Sequence, residues 1–120
     1  MSSQYSLDDK TAGREFLIMG GRSFDALERF LNAHSSAGSR VRIIHECEYV
    51  GGGYDIPEPV HYDGRVVSED ATIVLVALSG ADPAFRIGGY EVRDLIESFE
   101  ELKAWALAHP DNIYRPQYCE

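Results

Sequence analysis

The chain has 120 residues, 44% apolar and 26% charged, which is ordinary for a globular protein and long enough to bury a core without metal or disulfide staples. Its net charge of −9 repels duplex DNA and anionic membranes, whose binders present Lys/Arg patches, so direct binding to either is not expected. No apolar run approaches the roughly 18 residues of a transmembrane helix, and the first residues lack the basic start and apolar stretch of a signal peptide, so a cytoplasmic protein is expected.

Residues 1–13, MSSQYSLDDKTAG, read as a flexible polar arm, and residues 14–120 as a single domain. The stretch REFLIM, Arg14 to Met19, predicts a short strand ending at Gly20-Gly21. Ser23 is a candidate N-cap, and Phe24, Leu27, Phe30 and Leu31 recur at helical spacing until His34. From Arg40 to Val50, alternation places Val41, Ile43, His45, Cys47 and Tyr49 on one face, which predicts a second strand. A long loop follows, VGGGYDIPEPVHYDG, whose Asp63-Gly64 end suits a type I′ hairpin turn. Ala71 to Leu78 carries no polar side chain after Thr72, the pattern of a central strand covered on both faces.

Phe85 to Val92 predicts a small hairpin around Gly88-Gly89. A second helix follows, with two competing capping boxes, Asp94 with Glu97 and Ser98 with Glu101. Its apolar face is Leu95, Phe99, Leu102 and Ala106, and His109-Pro110 ends it. The tail around Pro116 suits a short edge strand, where a missing N–H is tolerated. The order predicts an α+β domain: a mainly antiparallel sheet with two helices packed on one face. The arrangement resembles the split βαβ, or ferredoxin-like, motif with hairpin insertions at 54–68 and 85–92.

Chemistry-bearing residues are sparse in pattern. His45, Cys47 and His61 make an acceptable but irregularly spaced metal or thiol set, and a core role for His45 and Cys47 is the simpler reading. The two cysteines, Cys47 and Cys119, read as free thiols. Gly20, Gly21 and Arg22 precede a helix start and offer an alternative site for a small anionic metabolite, without a P-loop or dinucleotide fingerprint. No catalytic residue, metal or cofactor is assigned.

The acidic surplus is more informative. Asp55, Glu58 and Asp63 alternate with Tyr54 and Tyr62 in the long loop, and Glu97, Glu100 and Glu101 form a second cluster on the last helix. Carboxylates beside tyrosines suit a contact with a basic protein. The expectation is a small inhibitor, of the immunity-protein or phage-antagonist kind, that blocks a nucleic-acid-handling site on its partner. A regulatory module, dimeric through its sheet, is the alternative.

Overall fold

The computed structural model describes residues 3–34, 41–45, 48–50 and 60–119. In chain order these form β1 (Gln4–Asp9), β2 (Arg14–Gly20), α1 (Gly21–His34), α2 (Arg42–His45) and β3 (Glu48–Val50). Then come α3 (Gly64–Ser79), β4 (Arg86–Ile87), β5 (Tyr90–Glu91), α4 (Val92–Ala108) and β6 (Tyr114–Cys119). The class is α+β. Strands β2, β1 and β6 are antiparallel neighbours, β3 joins β6 in parallel, and β4 pairs with β5 in a separate hairpin. The order β2-β1-β6-β3 does not reproduce the ferredoxin-like arrangement, because its first connection is a tight turn and not a helical crossover.

The opening segment departs most from expectation. Residues 4–9 are not an arm but an interior strand, paired on both sides. Alternation explains it: Tyr5 and Leu7 point into the core and are fully buried, each worth about 1.5–3 kcal/mol. The Tyr5 ring stacks on Phe24 of α1 at 4.4 Å, and its hydroxyl donates to the Ile43 carbonyl of α2. Asp9 shares that face and meets Trp105 of α4 at 2.9 Å. Helices α1 and α4 therefore pack on one face of the sheet. Strand β2 lies at the sheet edge and carries a bulge between its partners of Tyr5 and Leu7, with Leu17 at φ 55. A left-handed leucine costs roughly 1–2 kcal/mol, and the kink blunts an edge that would otherwise accept another strand.

Helix α3 overturns both the hairpin turn at Asp63-Gly64 and the central strand at Ala71–Leu78. Asp63 is its N-cap, with Oδ1 accepting the Val66 N–H at 3.0 Å. Val67, Ala71, Val74 and Leu78 face inward, whereas Val76 is 67% exposed. An unbroken apolar run hides this period, and packing against α4 decides it. The two helices meet closely where α3 begins and α4 ends. A Cβ on Gly64 would lie 2.5 Å from the His109 carbonyl oxygen, and the Gly64 N–H donates to Pro110 O at 2.9 Å.

Two more elements differ from expectation. Arg42–His45 is a single helical turn, not strand, because the Asp70 carboxylate on α3 accepts the Ile43 N–H at 3.0 Å and caps it from outside. Strand β6 is interior, not an edge. Its Pro116 pairs with Leu7 of β1, while β3 joins only from Gln117 onward, so the missing N–H leaves no gap in the ladder on that side. The expected α1, hairpin and α4 are all present. Helix α4 uses neither capping box, since the carbonyls of Phe85 and Pro83 accept its Val92 and Arg93 N–H groups at 2.8 and 3.0 Å.

Candidate binding face on the last helix

Helix α4 buries Val92, Leu95, Phe99, Leu102 and Ala106, packs Ile96 and Trp105 partly against the core, and turns most of its other positions outward. Asp94, Glu97, Glu100 and Glu101 are all exposed. The spacing makes Glu97 a helical neighbour of the other three. Glu101 is partly neutralised, because it pairs with Arg14 of β2. That guanidinium also lies 4.5 Å from the Trp105 ring and 4.6 Å from the Phe16 ring, which holds it against the sheet. Among the described residues, Asp94, Glu97 and Glu100 have no Lys or Arg within ion-pair distance. At the start of the helix Glu91 is held by Arg93 at 2.8 Å.

The described part of the loop cluster, Tyr62 and Asp63, does not join this face. Tyr54, Asp55 and Glu58 lie outside the described residues. Tyr62 is half-buried and bridges Tyr114 through paired backbone bonds of 2.9 and 2.8 Å. Asp63 serves as a helix cap. Its neighbour Gly64 abuts the far end of α4, roughly 20 Å along the helix from Glu97 at 1.5 Å per residue. The loop's described end and the acidic stripe are separate features.

The other candidates are placed differently from what their residue types suggest. The Gly21 N–H donates to Ser3 O at 2.9 Å, so the chain itself occupies the start of α1. Ser23 is no cap; it lies inside α1, and its hydroxyl accepts the Gly89 N–H at 3.0 Å. His45 engages both ring nitrogens, with Val41 O at 3.0 Å and Asn32 Oδ1 at 2.9 Å. His61 is exposed, and Cys47 lies outside the described residues. Among the described residues no group of three or more His, Cys, Asp or Glu is placed to hold a metal.

Two buried carboxylates carry no sequence signal as a site. Asp9 receives four donors: the N–H groups of Thr11 and Ala12, both at 2.9 Å, the Trp105 indole at 2.9 Å and the Asn112 amide at 2.8 Å. Burial pushes its carboxyl up, but the Asn112, Ala12, Trp105 and Thr11 donors outweigh it and hold Asp9 below its ordinary range. Nearby Tyr114 is pushed up to about 12 by burial and then by the Asp9 charge. A hollow of about 290 Å³ beside Asp9 is lined by Asp8, Lys10, Arg14 and Glu15. Its charges are mixed, and Asp9 is spent on holding the turn. Asp70 is buried with Oδ1 unbonded, and burial raises its carboxyl despite the Ile43 N–H and the Arg42 charge.

Compared with family models, with characterised proteins and with solved structures, the chain matches none. Among the described residues, no helix is long and apolar enough to cross a membrane.

Proposed function

We propose that this chain is a binding protein whose partner presents a basic surface, and that the outer face of α4 makes the contact. The observation that supports it is the set of exposed carboxylates at Asp94, Glu97 and Glu100, unpaired among the described residues. Like charges at helical neighbour positions destabilise by about 0.2–0.5 kcal/mol per pair. Glu97 makes two such pairs with unpaired carboxylates, Asp94 and Glu100, and a weaker third with the Arg14-paired Glu101. A cationic partner removes that repulsion on binding. Only Asp94, in the first turn, gains from the helix dipole.

The contact would act by covering the partner's basic site, with long-range attraction speeding encounter. A basic surface of that kind is what nucleic-acid-handling proteins present. Blocking it would make the chain an inhibitor of the immunity-protein or phage-antagonist kind.

The test is affinity capture from native lysate with the wild-type chain and with Asp94→Asn/Glu97→Gln/Glu100→Gln, at about 0.05 M and about 0.3 M salt. A basic protein held by the wild type at low salt, and lost both at higher salt and with the triple variant, supports the reading. The same proteins held equally by both chains at both salts would refute it.

A further inference from the structure

The β4–β5 hairpin is fastened to the start of α1. Gly88 sits at φ +61 with its Cα against Ser23, where a Cβ would lie 2.6 Å from the Ser23 Cα. The Ser23 hydroxyl bond to Gly89 N–H completes the clasp. Beyond it, the hairpin and α1 diverge and leave an open groove of about 330 Å³. On its helix side the stripe Ala26, Arg29 and Ala33 lies beside Phe30 and His34, and the alanines leave room between the two walls. Its apolar surface includes Phe30 and Phe85, whose ring centroids are 6.5 Å apart. Phe85 is 52% exposed, so much of its ring has no cover.

The charge of this groove opposes that of the chain. Its ionisable lining residues are Arg29, His34 and Arg86, and no carboxylate lines it. Arg29 is exposed and has no ion-pair partner among the described residues; Asp25, one turn earlier, does not reach it. Arg86 donates to Gly89 O at 3.0 Å and touches Glu91 only at 4.0 Å, while Glu91 is already held by Arg93 at 2.8 Å. Guanidinium groups with spare donors beside an exposed aromatic ring suit a ligand with an anionic head and an apolar body. We infer that the groove between α1 and the β4–β5 hairpin binds a small carboxylate with an apolar body, such as an aromatic or short acyl acid. The guanidinium of Arg29 takes the carboxylate and the exposed Phe85 ring takes the body, since Phe30 is largely buried and stacks on His34 at 4.2 Å. The groove's size suits a small molecule, near the lower end of ligand pockets.

This inference uses different residues from the α4 face and does not depend on it. The test is an NMR titration of the full chain with phenylacetate, and with phenylacetamide as its uncharged match. Saturable shifts are expected at Ala26–His34 and Phe85–Gly88, with phenylacetamide binding about tenfold more weakly. Arg29→Gln should weaken phenylacetate about tenfold, and Phe85→Ser should weaken both ligands; both positions are exposed, and unchanged spectra elsewhere verify the fold. The Asp94→Asn/Glu97→Gln/Glu100→Gln chain should bind phenylacetate as the wild type does. Equal binding of acid and amide, an unaffected Arg29→Gln, shifts confined to other residues, or no saturable shift would each overturn the inference.

Discussion

Asp9 and Asp70 are the same residue type, and neither has any surface exposed to solvent. They sit in opposite electrostatic situations. Asp9 ends an interior strand where the β1–β2 turn, α4 and the segment before β6 converge, and each contributes a donor. Asp70 lies on α3 beneath a four-residue helix, with Oδ2 bonded and Oδ1 left without a hydrogen bond, 3.6 Å from the Arg42 guanidinium. The first carboxylate is a junction that ties distant segments together. The second is a cap whose charge the fold tolerates. The difference shows that lack of exposed surface alone says little about a carboxylate, and that the donors brought to it, set against the depth of its burial, decide whether the charge stabilises the fold.

The strongest way to break this comparison is Asp9→Ala. It strands donors from four residues, so a loss of about 3 kcal/mol is expected by chemical denaturation. A loss below about 1 kcal/mol would mean that water replaces the carboxylate and that the junction is not structural. Next in size, Trp105→Phe keeps most of the ring and removes one donor; about 1 kcal/mol should be lost, and the Asp9 carboxyl should titrate at higher pH by NMR.

The pH dependence sharpens the contrast, because the two groups act with opposite sign. The Asp9 carboxyl is lowered in the fold, so its stabilisation is present above the ordinary value of 3.8 and is lost as pH falls through the folded value. The Asp70 carboxyl is raised, so its cost is fully present above its folded value and shrinks as pH falls toward 3.8. Denaturation of wild type and Asp70→Asn across this acid range should show the variant lacking that gain on acidification. The smallest effect is expected from Asp70→Asn at neutral pH: a change within about 1 kcal/mol, since the amide oxygen still accepts the Ile43 N–H and no buried charge remains. A loss of about 3 kcal/mol there would place Asp70 beside Asp9 as a junction and erase the distinction.

Regular periodicity made part of the fold legible. The apolar positions of α1 and α4, and the Gly88-Gly89 turn, follow from local pattern. The other elements needed partners that local pattern does not name. In β1, Tyr5 and Leu7 alternate with polar residues, but only two apolar residues carry the signal, and the fold buries Ser6 and Asp8 as well. In α3, the apolar stretch suits a strand and a buried helix equally, and the Asp63 cap beside Gly64 has the same letters as a hairpin turn. The acidic stripe of α4 was readable because exposed positions on a helix follow directly from spacing. The α1 groove was not, although Ala26, Arg29 and Ala33 share a stripe: its second wall comes from the β4–β5 hairpin, more than fifty residues later.

The amino-acid order by itself determined the α+β class, the apolar faces and C-terminal ends of α1 and α4, and the negative sign of the net charge, because composition and short-range period act within one or two turns of chain. Only the tertiary structure decided that the opening residues lie inside the sheet, that an apolar run coils against α4, and that two arginines flank a groove. Those outcomes depend on burial and on donors supplied by segments far apart along the chain, and a one-dimensional pattern does not record which segments will meet.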